Sequence, residues 1–256
     1  MKILVTGSTG FIGRNMKEFF FKQHQVFAPT HEELDLTDLK KVKAYFKENR
    51  PQFIIHCAGK EKSPCLKENL EMFYNLLHTR YEHMFIMGSG ADDQDTQYGL
   101  SKYTMSRLAG VVSRVTYLRL YGVFGKYEDY NRRFISQCII KKLNKKLITI
   151  PEDRSINYVY VNDLCRIIDL MIKKPPYSIH YNVCSTEWYT LSQIAKIIGV
   201  KCKVTKEGKL YGGVCQKLKQ EYKFEFTPLR KAVIELEKYY EKHPGIVSKE
   251  KAVPAS

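Results

Sequence analysis

The sequence predicts an α/β fold: a doubly wound, mostly parallel sheet covered by helices on both faces, followed by a small C-terminal lobe. Three observations carry this expectation. Strand-like and helix-like segments alternate from the first residue. The runs Phe53 to Cys57, His83 to Met87 and Val115 to Leu120 are mostly apolar, as strands buried on both faces are. A glycine-rich turn, Gly7 to Gly13, lies where the first strand hands over to the first helix.

Lys2 to Val5 forms the first strand, Ile12 to Gln23 a helix, and Gln25 to Ala28 the second strand. Leu39 to Asn49 is the next helix, stopped by Pro51. Helices at about Glu68 to Thr79 and Tyr98 to Ala109 separate the three apolar runs. Beyond Gly125 the rhythm loosens into a basic helix (Asn131 to Lys145), a strand (Leu147 to Ile150) and a helix (Asn162 to Lys173) ended by Pro175 and Pro176. Tyr181 to Cys184, Leu191 to Ile198 and Leu229 to Glu241 carry enough apolar residues to pack on the main body, but not to stand alone. The chain thus divides into a main domain at 1–175, a small lobe at 176–245 and a flexible tail at 246–256.

A length of 256 residues gives one to two domains, and 44% hydrophobic with 27% charged residues excludes disordered, collagen-like and coiled-coil classes. The net charge of +15 favours an anionic partner: a nucleotide, a nucleic acid or a phospholipid surface. Seven cysteines without a C-x-x-C pair read as reduced thiols inside a cell. The first apolar run is too short for a secretory signal, and none approaches the roughly 18 residues that span a bilayer. The expectation is a cytoplasmic protein without a membrane partner. No histidine or cysteine spacing suggests a metal site.

In Val5-Thr6-Gly7-Ser8-Thr9-Gly10-Phe11-Ile12-Gly13 each glycine has a reason. Gly7 permits a tight turn, Gly10 lets the backbone approach a phosphate, and Gly13 lets helix and strand pack closely. Amides at a helix start can then face the pyrophosphate of a dinucleotide. Tyr98 and Lys102 stand four apart on a predicted helix, so both leave from one face. A neighbouring ammonium favours the phenolate, so Lys102 is expected to bring Tyr98 towards a useful acid/base range.

This chain resembles the extended short-chain dehydrogenase/reductase superfamily, in its nucleotide-sugar epimerase, dehydratase and reductase branch. The resemblance rests on the T-G-x-x-G-F-I-G turn and, in order along nearly the whole chain, on Glu33-Leu34-Asp35-Leu36-Thr37-Asp38, His56-Cys57-Ala58-Gly59, Tyr98-Gly99-Leu100-Ser101-Lys102, Leu118-Arg119-Leu120-Tyr121-Gly122-Val123-Phe124-Gly125, Tyr158-Val159-Tyr160-Val161-Asn162-Asp163 and Tyr181-Asn182-Val183. It implies a Rossmann-like sheet, a nicotinamide cofactor, a nucleotide-sugar substrate, a lobe that serves the substrate, and a homodimer. Gly7, Thr9, Gly10, Phe11, Ile12 and Gly13 would hold the pyrophosphate, Asp35 and Leu36 lie along the adenine, and Ala58, Gly59 and Lys60 flank the nicotinamide. Tyr98 and Lys102 become the catalytic pair, with Lys102 also on the nicotinamide ribose. Arg14 and His31 are candidates for a 2′-phosphate, which favours NADP slightly over NAD; Glu32 or Glu33 offers the opposite reading, a ribose 2′-hydroxyl. The resemblance places part of the substrate site in 125–155, with its diphosphate near the basic segment that holds Arg132 and Arg133, and Arg154 as a further candidate. For all three arginines a solvated face or a structural ion pair is the alternative.

One position departs from the family pattern. The family supplies a Ser or Thr hydroxyl at the place where Gly90 stands, with Ser89 just before it. Ser89 takes the role, or a substrate or water hydroxyl fills the gap. Ala91 and Asp92 replace the acidic pair of dehydratases, and the cysteine that epimerising relatives carry near Ala91 is absent. Hydride transfer at C4 remains, as a 4-keto reductase or a 4-epimerase for surface-polysaccharide sugars. The alternatives are a non-catalytic dinucleotide sensor and a nucleic-acid-binding regulator, although no nucleic-acid motif accompanies the basic residues.

Overall fold

The computed structural model describes residues 1–249. Its main sheet grows from β1 (Lys2–Thr6), α1 (Phe11–Phe20), β2 (Gln25–Phe27), α2 (Leu39–Asn49), β3 (Phe53–His56), α3 (Leu66–Leu77), β4 (His83–Met87), α4 (Gln97–Ala109) and β5 (Val115–Leu120). There follow β6 (Val123–Phe124), α5 (Phe134–Leu143), β7 (Ile148–Ile150), β8 (Asp153–Ile156), β9 (Val159–Tyr160) and α6 (Val161–Lys173). The chain continues with β10 (His180–Val183), β11 (Tyr189–Thr190), α7 (Leu191–Ile198), β12 (Cys202–Val204), β13 (Glu207–Tyr211), α8 (Gln216–Tyr222), α9 (Leu229–Glu241) and α10 (Pro244–Lys249).

Six parallel strands pair in the order β10-β5-β4-β3-β1-β2. Their period-2 alternation explains why the strand runs are mostly apolar rather than alternating. Ile3, Val5, Ile55, Phe85 and Leu118 pack to one side with residues of α1 and α6, whereas Leu4, Ile54, Met84 and Ile86 pack to the other with residues of α2, α3 and α4. This is the doubly wound arrangement the sequence predicts. The chain runs outward from β1 to β2, then crosses back to β3, so the strand order reverses at the C-terminal ends of β1 and β3. Such a reversal opens a crevice where ligands bind in folds of this type.

A second core joins α5, α7 and α9, with Ile135, Ile139, Ile194, Ile198, Val233 and Leu236 all buried. The lobe expected at 176–245 is therefore not contiguous. β10 pairs with β5 and completes the main sheet, and Leu218 of α8 packs in the same core as β10, because Tyr181 and Val183 bury against α6. The flexible tail expected from 246 does not hold through Lys249, since Pro244–Lys249 is helical and packs against α9. Residues 250–256 of that tail lie outside the described residues. Among the described residues, no helix is long and apolar enough to cross a membrane, and all seven cysteines are free.

Candidate active site

The glycine turn has the shape of an anion cradle. Gly7 adopts φ +63°, and a Cβ there would come within 2.7 Å of the Ala58 amide nitrogen, so the turn after β1 lies against the segment after β3 only because this residue lacks a side chain. A Cβ on Gly13 would lie 2.1 Å from the Gly7 carbonyl oxygen. Gly10 N-caps α1 without any side-chain cap bond, and the first turn holds no acidic residue, which leaves the opening amides of α1 turned outward. The buried Ser8 hydroxyl reaches the Ala28 and Pro29 carbonyl oxygens at 3.0 Å each and ties the turn to the end of β2. These residues fit a dinucleotide pyrophosphate.

The flanking candidates separate. Ala58 donates its amide to Thr6 Oγ1 at 3.2 Å. Asn69 clasps the backbone of Lys60 at both ends, accepting from its amide at 2.8 Å and donating to its carbonyl at 2.9 Å, so this buried asparagine shapes the loop. The Asp35 carboxylate accepts from the Thr37 amide and hydroxyl at 2.9 and 2.7 Å, and these bonds hold its pKa below the ordinary value. Leu36 is buried in the core that also takes residues of α2 and α3, and its carbonyl accepts from Asn75 Nδ2 at 2.9 Å. His31 is exposed just past β2. Arg14 stacks over the Tyr127 ring at 3.9 Å instead of standing free. Glu33 is engaged as well, since its carboxylate accepts the Thr30 amide at 2.7 Å.

α4 begins at Thr96, whose hydroxyl accepts the Gly99 amide, and one turn sets Tyr98 and Lys102 on a common face. Lys102 is buried, and its Nζ donates to the Met87 carbonyl at the end of β4 at 2.8 Å and lies 5.6 Å from the Tyr98 ring centroid. Burial pushes its pKa down to about 8 against the opposing pull of Cys57 and Glu61. The Tyr98 phenol is raised, mainly by burial, while the Ser89 side chain and the charge of Arg133 pull it the other way. The expectation that Lys102 brings the phenol down is corrected here. Its ammonium is drawn to the Met87 carbonyl, and desolvation of the ring dominates.

Ser89 stands one residue before Gly90, where the family pattern leads one to seek a hydroxyl. A Cβ on Gly90 would come within 2.4 Å of the Tyr121 ring, so no serine fits there. Ser89 is held by its neighbours: its Oγ accepts the Ala91 amide at 3.1 Å, and its own amide donates to the Tyr117 hydroxyl at 3.3 Å. Tyr117 in turn donates to the buried Asp92 at 3.2 Å, and Arg119 Nε meets the same carboxylate oxygen at 2.8 Å. Asp92 is thereby consumed in positioning the loop.

Ser89 and Tyr98 open into a cavity of about 660 Å³, within the usual range for small-molecule sites. Arg132, Arg133 and Arg154 line the same cavity, with Phe11 and Ile12 from the start of α1. Arg132 and Arg133 pair with Glu61 at 3.3 and 3.4 Å, and Arg154 pairs with Glu152 at 2.7 Å. A second cleft of about 540 Å³ shares Ser89, Tyr98 and both arginines and reaches the short 91–97 loop.

Two family models match this chain. The one described as RmlD substrate binding domain matches residues 1–63, and that of the NAD dependent epimerase/dehydratase family matches residues 86–184, the stretch that holds Ser89, Tyr98, Lys102 and the three arginines. Over 86–184 the chain is thus similar to the NAD dependent epimerase/dehydratase family. GDP-L-colitose synthase of Yersinia pseudotuberculosis is 27% identical over 259 residues, spanning 78% of this chain and 83% of that protein. GDP-6-deoxy-D-talose 4-dehydrogenase of Aggregatibacter actinomycetemcomitans is 27% identical over 236 residues, spanning 77% and 79%. In fold, the chain matches UDP-glucose 4-epimerase of Thermotoga maritima with a TM-score of 0.82 at 18% identity, over 95% of this chain and 100% of that one. It also matches a GDP-L-fucose synthetase of Naegleria fowleri with a TM-score of 0.82 at 16% identity, over 95% and 96%.

The basic helix expected from Asn131 starts only at Phe134, because the backbone at the N-cap Arg133 is extended, with φ −98° and ψ 121°. Arg132 and Arg133 therefore sit on the preceding loop, free to line the cavity. Sequence reasoning missed Glu61, Tyr211 and Glu128, which also line it. Each lies in an irregular segment or on a short exposed strand with no periodicity to mark it.

Proposed function

We propose that this chain is a nicotinamide-dependent oxidoreductase of nucleotide sugars, acting at C4 as a 4-keto reductase or 4-epimerase that makes sugars for surface polysaccharides. The observation that carries the reading is Ser89 and Tyr98 beside buried Lys102, opening into a cavity whose wall also bears Arg132, Arg133 and Arg154. The curated relatives bear the names of GDP-sugar enzymes, which supports a nucleotide sugar as substrate.

Gly7, Thr9, Gly10, Phe11, Ile12 and Gly13 would hold the pyrophosphate of the cofactor, Asp35 its adenosine side, and Ala58, Gly59 and Lys60 its nicotinamide side. When bound, the nicotinamide supplies a hydride to C4 or takes one from it. Burial keeps the Tyr98 phenol protonated at neutral pH, so Tyr98 can donate its proton to the oxygen on C4 as negative charge develops there. The Ser89 hydroxyl, on the same cavity wall as that phenol, offers a second donor to the same oxygen. Lys102, its Nζ 5.6 Å from the Tyr98 ring centroid, would stand near the nicotinamide ribose. In the reverse direction the phenolate recovers the proton, and both directions in turn give epimerisation. Three arginines suit the diphosphate of the substrate.

His31, exposed past β2, favours a 2′-phosphate, and Glu33 is occupied by the Thr30 amide, so we read the cofactor as NADPH before NADH. A tighter fluorescence titration with NADH overturns that preference. Exposed Tyr74 on α3 with Leu100 and Tyr103 on α4 support a homodimer through this helix pair, which sedimentation would test.

The deciding experiment follows nicotinamide oxidation by absorbance with GDP- and UDP-linked 4-keto sugars. Turnover is expected with at least one, and Tyr98→Phe should slow it about 10²-fold or more while dinucleotide affinity stays within about threefold. Absence of turnover with all of them, or full activity in the variant, overturns the reading.

A further inference from the structure

Glu128 lines the cavity yet takes no part in the proton transfer described above. The residue is 4% exposed, and its Oε2 is buried without a hydrogen-bond partner. Its other oxygen is accounted for by a directional relay. The Tyr240 hydroxyl of α9 donates to Ser136 Oγ of α5 at 2.7 Å, and the Ser136 hydroxyl donates to Glu128 Oε1. Both hydroxyl protons run towards Oε1, which leaves Oε2 as the atom with unused bonding capacity.

The groups facing this carboxyl are Arg133 at the start of α5, Tyr158 ahead of β9, Tyr240 of α9, and the backbone amides of Gly125 and Ser136. Arg133, Ser136 and the amides favour its charged form, but burial outweighs them and pushes the carboxyl up to about 8. Burial thus favours the uncharged acid at neutral pH, and with Oε1 already accepting from Ser136, Oε2 is the oxygen left to carry the proton. A buried donor left unpaired is costly, so one kept at a cavity wall points to a partner that arrives with the ligand. An uncharged acid can also sit near a bound diphosphate without repelling it.

We propose that Glu128 is a recognition residue of the sugar-nucleotide site, its Oε2 donating a hydrogen bond to an uncharged oxygen, carbonyl or hydroxyl, of the bound ligand. The inference rests on the nucleotide-sugar reading of the cavity.

The test titrates GDP-mannose and UDP-glucose into wild type, Glu128→Leu and Glu128→Gln, each saturated with NADPH, at pH 7 and pH 9. Glu128→Leu should weaken sugar-nucleotide binding at least tenfold while NADPH affinity stays within threefold. Glu128→Gln, whose amide can donate from the same place, should recover most of the loss. Between pH 7 and 9 wild type should lose at least fivefold more affinity than Glu128→Gln, since Lys102 titrates in both and Glu128 in only one. Unchanged binding in Glu128→Leu, or parallel pH profiles in wild type and Glu128→Gln, overturns the proposal; if Glu128→Leu does not fold, the pH comparison decides alone. A wild type that binds neither sugar nucleotide sinks the nucleotide-sugar reading and this inference with it, whereas one that binds without regard to Glu128 sinks only the inference.

Discussion

Ser89 and Tyr98 open into one cavity, the Ser89 hydroxyl standing one residue ahead of the place where the family pattern puts a hydroxyl. The displacement has a steric cause. Tyr121 fills the space a side chain at position 90 would need, and Tyr117, anchored on Asp92, holds the Ser89 amide in the shifted setting.

Ser89→Ala should therefore lower kcat about 10²-fold with the dinucleotide affinity unchanged. Moving the hydroxyl to its family position, as Ser89→Ala with Gly90→Ser, should not restore activity, because a Cβ at 90 lies 2.4 Å from the Tyr121 ring. Steady-state kinetics on the single and double variants check this. Recovery in the double variant would show that the hydroxyl acts from position 90 after all.

What was legible in the sequence depended on how local its signal was. α2, α7 and α9 begin and end where the periodicity and punctuation put them, because Asp38 caps α2, Thr190 and Gln193 form a capping box on α7, and Gly199 closes α7 in the left-handed region. The glycine turn and the Tyr98–Lys102 spacing are equally local. β8, β11 and β13 are short, largely polar strands paired across long stretches of chain, and no segment of them signals its partner. The role of Ser89 depends on Tyr121, a residue 32 positions later in the chain, and spacing alone left it open.

The glycine turn lets fold and proposed binding be tested separately at two of its glycines. Gly13→Ala drives a Cβ to 2.1 Å from a backbone oxygen that no rotamer change can move, so about 2 kcal/mol or more of stability should be lost. Gly10→Ala places its Cβ no nearer than 3.3 Å to the Gly7 oxygen, so the chain should fold with a small loss, yet the added methyl stands over the amides of α1. Dinucleotide affinity should then fall at least about tenfold, an intrusion into a close backbone approach. Urea unfolding with fluorescence titration of NADPH measures both, and wild-type affinity in Gly10→Ala would remove the turn from the binding site.

His56 gives the fold an acid limit. Its Nδ1 is 2.9 Å from the Thr6 hydroxyl, which also accepts the Ala58 amide, while its Nε2 is buried without a partner. Burial first, and the charge of Lys102 second, push its pKa down to about 3, and burial pushes His83 down to about 4. The unfolded chain binds a proton at each histidine below about pH 6.5, and the native chain does not until far lower, so unfolding takes up protons throughout that window. Stability from these two groups should be level above pH 6.5 and fall steadily as the pH drops to 5, a range still above most carboxylates. His56→Asn, which keeps an acceptor for Thr6 and cannot titrate, should make that decline shallower, with the contribution of His83 left in place. Urea midpoints at pH 7.5, 6.5, 5.5 and 5 measure it, and equal slopes in wild type and variant would mean that His56 is protonated in the native chain.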